Sequence, residues 1–351
     1  MLDLCLECRA CKAECPVGVD MARFKSEFLA DYWKRHGTPL RARALGHLDT
    51  LSHWGSRFAP FSNWAAATTP ARWLNEQVLG IDRRRTLPPW ARPTFAARFA
   101  RTRQRPPDRD DLLLFNDTFT NYYNPEIGAA GAEVLEAAGA SVALAPNGCC
   151  GRTLISQGLL EQARDRAAAN ADILYPLVAD GRSLVFFEPS CLSAVADDAP
   201  ALLRGEAQRK ARRVAECAVL FEEALERRLE RQQTSLQLKP GPPAILLHGH
   251  CHQKAMGLLA PAKAVMSRIP GATLIDLDAG CCGMAGSFGY GRDHFDVSKQ
   301  IAERKLLPAV RGRPPGAVVV ASGVSCRSQV KDFAGVMALH PAMLLRSLVL
   351  E

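Results

Sequence analysis

The chain has 351 residues, 48% hydrophobic and 23% charged, with a formal net charge of +8; this near-average composition excludes disordered, collagenous and coiled-coil classes. At ~150 residues per domain, the length predicts about two domains with room for real cores. The longest apolar runs, such as Ala317 to Ala321, fall far short of the ~18 residues of a membrane helix, and no basic-then-apolar leader follows Met1, so the expected location is the cytoplasm.

The chain opens on chemistry. Cys5, Cys8, Cys11 and Cys15, followed by Pro16, form C-x2-C-x2-C-x3-C-P, the bacterial ferredoxin run. Such short spacings let one loop aim its thiolates at a single cluster while backbone amides face the sulfides, which predicts a 4Fe-4S site; zinc sites instead pair C-x2-C units across a longer loop. In two-cluster ferredoxins the fourth cysteine of such a run ligates the other cluster, yet no twin run occurs in this sequence. Three readings stay open: a partner supplies the other half, the chain is a piece of a longer protein or has a misplaced start, or a nonstandard ligand completes the site. Asp20 is the expected cap of a helix with Met21, Phe24, Phe28 and Tyr32 along one face and Gly37 as its stop. Residues 1–37 therefore read as a partial ferredoxin-type module.

Residues 38–110 read as a helical, basic connector, with His47, Trp54, Trp64 and Trp73 in amphipathic pieces. Its end, Arg83 to Arg109, holds nine arginines and one acidic residue. Without interleaved base-stacking aromatics or a nucleic-acid motif, this stripe points to a solvated or docking surface and not to nucleic acid.

The remainder contains two copies of one pattern, 111–233 and 240–351, with Gln232 to Pro243 as the linker. In the first copy a strand (Leu112 to Asn116), a helix (Pro125 to Ala138) and a strand (Val142 to Ala145) lead to Cys149-Cys150-Gly151. A helix (Leu159 to Val178) and a strand (Leu184 to Phe187) then reach Cys191. The second copy runs in the same order: a strand (Ala244 to His248) to Cys251, a helix ending near Ile269, and a strand (Thr273 to Leu277) to Cys281-Cys282-Gly283. A helix (His294 to Leu307) and a strand (Ala317 to Ala321) complete it at Cys326. Cys150 precedes Cys191 by 41 positions and Cys282 precedes Cys326 by 44; Thr118 stands 31 positions before Cys149, where the first copy would need a leading cysteine. The expected fold is α/β, two tandem βαβαβ repeats with parallel strands and cysteines just past strand carboxyl ends, where open α/β sheets place ligands.

Twelve cysteines are far fewer than the ~8–10% of a secreted disulfide scaffold, and thiols in a reducing compartment remain available to bind metal. Cys251, Cys281, Cys282 and Cys326 can converge on one cluster, with Gly280, Gly283 and Gly286 allowing close approach. The first copy offers only Cys149, Cys150 and Cys191; it is either vestigial, a sharer of a cluster across the repeat interface, a redox dithiol or simply packed. His250 and His252, beside Cys251, either reach the cluster, a substrate or a proton path, or satisfy local hydrogen bonds. Cys217, in a charged helix expected over Glu206 to Arg231, fits no spacing and reads as a packing residue.

The run from Cys5 to Ala22 followed by two CCG repeats resembles the C-terminal half of fused FAD-binding and iron-sulfur-binding D-2-hydroxyacid dehydrogenases. It is similar, less closely, to the glycolate oxidase iron-sulfur subunit, the anaerobic glycerol-3-phosphate dehydrogenase C subunit and the cysteine-rich subunit of heterodisulfide reductase. The resemblance implies an electron-transfer module: FAD in a partner chain or missing domain oxidises D-lactate, D-2-hydroxyglutarate or glycolate, and electrons pass through the clusters to a quinone or cytochrome. The basic stripe would then dock the flavoprotein or a membrane surface at its inner face. Where heterodisulfide reductases place closing cysteines this chain has Ala194 and Gln329, against the alternative of a disulfide-reducing subunit; a nonredox zinc protein is the other alternative.

Overall fold

The structure, a computed structural model, describes residues 2–103, 112–231 and 236–350. It is a mixed α/β molecule with two small parallel sheets. The first contains β1 (Leu112–Leu114), β2 (Val142–Leu144), β3 (Leu184–Phe186) and β4 (Ala218–Leu220) in the order β2-β1-β3-β4. The second contains β5 (Ala244–Leu247), β6 (Thr273–Asp276) and β7 (Val318–Val320) in the order β6-β5-β7. Leu339 pairs in parallel with Val320 beyond β7, where the first sheet has β4.

Strand alternation sorts side chains between separate cores. Leu114, Val185 and Val219 of the first sheet join Ile245, Leu247 and Val320 of the second in one shared cluster, whereas Leu113, Leu184 and Phe186 face a core of first-repeat residues against which Met256 and Leu258 also pack, and Leu246 and Val319 face one within the second repeat. Four helices fill the space between the sheets: Pro125–Ala137 packs on Pro341–Leu348, and Phe221–Glu230 packs on Leu259–Ser267. Each pair joins the first crossover helix of one repeat to the last helix of the other, so the repeats meet with approximate two-fold symmetry.

Several expectations needed correction. The charged helix over Glu206 to Arg231 is two helices, Gly205–Cys217 and Phe221–Glu230, parted by β4; the apolar Ala218-Val219-Leu220 pairs with β3 because that edge would otherwise leave backbone groups unbonded. The His294 to Leu307 helix is likewise split, into Phe295–Glu303 and Leu306–Arg311. Asp20 does cap helix Met21–His36, accepting from the amides of Ala22 and Arg23 at 3.0 and 3.2 Å, and Gly37 ends it at φ 81°. Its apolar stripe, however, faces outward: Met21, Phe24, Phe28 and Tyr32 are exposed, and the buried side is Ala22 and Ser26.

The basic stripe is largely consumed by pairing. Arg83 binds Glu76, Arg84 binds Asp82 and Arg103 binds Glu136, while Arg85 is buried against Asp332, the Gly289 carbonyl and Ser298. Arg85 thus fastens the connector to the second repeat. Arg105 and Arg109 lie outside the described residues. Among the described residues, no helix is long and apolar enough to cross a membrane.

Candidate metal centres

In the second repeat every cysteine of the expected set stands past a strand carboxyl end. Cys251 opens helix Cys251–Ala255 after β5, Cys281 and Cys282 lie in the loop after β6, and Cys326 sits in the first turn of helix Val324–Ala334 after β7. The side chains of Cys251 and Cys281 interact directly, as do those of Cys282 and Cys326, and the amide of Gly283 donates to Cys281 Sγ at 3.3 Å. Gly283 has φ 84°, and a Cβ there would lie 2.3 Å from the Ser298 carbonyl oxygen, so the loop can pass only with glycine. The neighbour's hydrogen bond and burial both push the Cys251 thiol well above its ordinary pKa. Thiolates in this pocket therefore require a cation, the charge that iron or zinc supplies.

His248 stands beside two of these cysteines. One of its ring nitrogens and the sulfurs of Cys282 and Cys326 all lie within 4.8 Å of one another. The ring is buried, and burial pushes its pKa down to about 3, so it is neutral near pH 7. A neutral imidazole has one N–H and one lone pair, and neither His248 nitrogen has a hydrogen-bond partner among the described residues. A group bound by the cysteines would satisfy one of them. His250 and His252 fit the local reading instead: His250 caps helix Cys251–Ala255 in a box with Gln253, while His252 Nε2 donates to the Glu7 carbonyl at 3.1 Å and Nδ1 pairs with the Ser193 hydroxyl at 2.5 Å. The sequence reading left both roles open for His250 and His252 and assigned none to His248; the usable signal for His248 was its position directly at the end of β5.

The first repeat reproduces the layout with fewer thiols. Thr118 opens helix Thr118–Tyr122 as Cys251 opens its helix, with Asp117 capping where His250 does. Cys191 and Cys326 occupy the same position in helices Pro189–Ser193 and Val324–Ala334, and Gly151 matches Gly283 at φ 82°. Cys150 Sγ lies 3.0 Å from Cys191 Sγ, and the Thr118 hydroxyl bonds the Cys149 thiol. Asp117 is buried, which lifts its carboxyl to about 6, and its Oδ2 has no partner among the described residues. Three thiols, a hydroxyl and a carboxyl oxygen are what this site offers. Cys217 is a packing residue, buried in the core beneath the first sheet with Leu184 and Val214.

The N-terminal run crosses both repeats. Glu7 and Arg9 hold left-handed backbone at φ 53° and 62° on either side of Cys8, a strain that persists because the surroundings fix it. Arg9 is buried against Asp197 and Asp198 of the first repeat, and Arg152 donates to Glu7 at 2.6 Å. With His252 holding the Glu7 carbonyl, this seats Cys8 close enough to Cys251 that the Cys251 charge adds to burial in raising the Cys8 pKa. Cys15, half-buried like Cys5, Cys8 and Cys11, has its thiol pKa lowered by the amides of Val19 and Val17. At the positions of the closing cysteines, Ala194 is packed and Gln329 is buried, its Nε2 donating to the Ser298 carbonyl at 3.0 Å.

Comparison with known proteins agrees with this layout. A family model described as a cysteine-rich domain (CCG) matches residues 116–196 and 245–331. The anaerobic glycerol-3-phosphate dehydrogenase C subunit of Escherichia coli (strain K12) is 31% identical over 311 residues, covering 87% of this chain and 76% of that protein. The chain belongs to the iron-sulfur, cysteine-rich modules of FAD-linked dehydrogenases. The glycolate oxidase iron-sulfur subunit of the same organism is 28% identical across 97% of this chain and 80% of its own length. The D-2-hydroxyglutarate dehydrogenase of that strain is 27% identical across 98% of this chain, which spans only 34% of that protein. As a member of this family, the cysteine-rich module is an iron-sulfur oxidoreductase component.

Proposed function

We propose that this cysteine-rich module carries electrons from an FAD-bearing partner chain or domain to an acceptor, through a 4Fe-4S centre on Cys251, Cys281, Cys282 and Cys326 and another on the run Cys5, Cys8, Cys11 and Cys15. The observation that carries this reading is the convergence of four thiols at the ends of β5, β6 and β7, with Cys8 of the N-terminal run beside Cys251. An iron-sulfur group there would supply one-electron storage; the protein contributes thiolates, buried surroundings and hydrogen bonds that set its potential. Residues 1–37 act as a partial ferredoxin-type module, 38–110 as connector, 111–233 and 240–351 as the two repeats. Cys149, Cys150 and Cys191 form a secondary site.

The relatives' names cite glycerol 3-phosphate, D-2-hydroxyglutarate and glycolate, all substrates with an oxidisable carbon bearing a hydroxyl. We take the substrate of the whole system from this class, D-lactate included, with a quinone or cytochrome as acceptor and the cytoplasmic face of a membrane as the place of work. Packed Ala194 and Gln329 weigh against disulfide reduction. The test is anaerobic purification with iron and acid-labile sulfide assays and electron paramagnetic resonance of wild type, Cys8→Ser and Cys282→Ser. Loss of a different signal in each variant is expected; three identical spectra, or iron-free protein after reconstitution, would overturn the proposal, and zinc in place of iron would establish the nonredox alternative.

A further inference from the structure

His252 stands where three cysteine-bearing segments meet. It follows Cys251 in helix Cys251–Ala255. Its Nε2 lies 3.1 Å from the carbonyl of Glu7, the residue before Cys8, and its Nδ1 lies 2.5 Å from the hydroxyl of Ser193, two residues after Cys191. His252 and Ser193 are both buried, so each bond forms where leaving it unmade is costly. A carbonyl oxygen can only accept. Nε2 therefore carries the proton, and Nδ1 of the neutral ring accepts from the Ser193 hydroxyl.

The neighbouring ties act on side chains. Arg152, two residues after Cys150, donates to the Glu7 carboxylate at 2.6 Å, and Arg9 is buried against Asp198. The His252 bond differs because it takes hold of the backbone. The Glu7 carbonyl belongs to the same rigid peptide plane as the Cys8 nitrogen and Cα, so anchoring that oxygen orients the plane from which the Cys8 side chain departs. Glu7 holds φ 53°, a conformation that a glutamate keeps only where its surroundings fix it. The Cys251 charge adds to burial, the larger cause, in raising the Cys8 pKa, which places the two thiols near each other.

We propose that His252 is a positioning residue for the relay: by holding the Glu7–Cys8 peptide against the helix of Cys251, it sets the gap between the N-terminal and second-repeat centres and hence their coupling. The inference rests on the electron relay proposed above. Each handover moves one electron, so the giving centre is oxidised by one and the receiving centre reduced by one, with no bond made and no proton moved. The first repeat then has a part in the relay that needs no metal of its own, because Ser193 holds the ring in the tautomer that donates to Glu7.

The test uses the whole chain after cluster reconstitution, with iron and sulfide counted in every sample of wild type, His252→Phe, His252→Gln and Ser193→Ala. Phenylalanine keeps a ring without either hydrogen bond, whereas glutamine keeps an N–H that can reach the Glu7 carbonyl. In dithionite-reduced wild type, paramagnetic resonance is expected to show the two centres split by their magnetic interaction. That splitting is expected to be lost in His252→Phe, leaving the sum of two separate signals at unchanged iron, to persist in His252→Gln and to weaken in Ser193→Ala. A second measurement needs no iron. Dibromobimane, which bridges neighbouring thiols, is expected to join Cys8 to Cys251 in reduced, metal-free wild type, read as the linked peptides by mass spectrometry. Its yield is expected to fall ~5-fold in His252→Phe, the population shift that one net hydrogen bond supports. Iron-loaded wild type without splitting, His252→Phe split as in wild type, or His252→Gln as uncoupled as His252→Phe overturns this inference and leaves the relay standing. Should His252→Phe bind no iron, wild-type splitting in iron-loaded Ser193→Ala overturns it. Wild type that takes up no iron overturns the relay instead, while the bimane link still decides whether His252 seats Cys8.

Discussion

Glu188, which caps the helix bearing Cys191 in the first repeat, accepts a hydrogen bond at 2.9 Å from the backbone amide of Val324, two residues before Cys326 in the second. The carboxylate also accepts from the Ser190 hydroxyl at 2.9 Å, so one buried side chain positions both cysteine helices. Glu188→Ala leaves those donors without an acceptor and is expected to cost ~1–3 kcal/mol, read as a lower urea midpoint. Glu188→Gln, which keeps one acceptor oxygen, is expected to lose less. Equal stability in all three proteins would show that the link contributes nothing.

His248 offers the buried N–H nearest Cys282 and Cys326 that no other described group accepts. A hydrogen bond to a cluster sulfur favours the reduced, more negative state, so His248→Phe is expected to lower the midpoint potential of the second-repeat centre. A net bond of ~1 kcal/mol corresponds to about 40 mV for one electron. Redox titration followed by paramagnetic resonance measures it. An unchanged potential at full iron content would remove His248 from the account.

Gly283 and Gly286 both have positive φ, yet their surroundings differ. A Cβ at Gly283 meets the Ser298 carbonyl oxygen at 2.3 Å, whereas one at Gly286 meets nothing within 4 Å. Gly283→Ala is expected to displace the Cys281-Cys282 loop and empty the second-repeat centre while the N-terminal signal persists. Gly286→Ala is expected to keep both signals at a cost of ~1–2 kcal/mol for left-handed backbone. Iron stoichiometry distinguishes the two; equal iron in both variants would contradict the steric reading.

His340 packs between the repeats, its Nε2 donating to the Phe187 carbonyl at 3.0 Å, and burial pushes its pKa down to about 3. Because the folded pKa lies below the unfolded one, the unfolded chain binds the extra proton. The contribution is complete above pH ~6.5 and is lost on acidification toward pH 3, at ~1.4 kcal/mol per pH unit. His340→Asn is expected to flatten the dependence of the urea midpoint on pH between 7.5 and 5.5. A slope as steep as wild type would place the acid sensitivity elsewhere.

The repeats were legible because cysteine spacing and buried strands are both local signals: Leu112 to Phe115, ended by Asn116 and Asp117, and Ala244 to Leu247, preceded by Pro242 and Pro243, are continuous apolar runs, as parallel strands covered on both faces must be. What was illegible depended on partners distant in sequence. Helical periodicity located the stripe of Phe24 and Phe28 but gave no direction, and the small face of Ala22 and Ser26 proved to be the inner one. β4 was hidden because three residues between charged helices carry little strand signal until β3 offers an edge. Arg85 read as part of a basic surface, and only folding reveals its position against Asp332. All three histidines are buried, and what separates the unbonded His248 from the bonded His252 is partners distant in sequence, Glu7 and Ser193, which spacing does not reveal.

The N-terminal loop is made first and seated last. Arg9 waits for Asp198, 189 positions on, and the Glu7 carbonyl for His252, 245 positions on, so the backbone around Cys8 has no fixed shape until both repeats have been synthesised and docked. Iron delivered to a nascent chain would find loose thiols and no pocket. A chain whose second repeat does not fold is therefore expected to leave the amino-terminal run unseated as well.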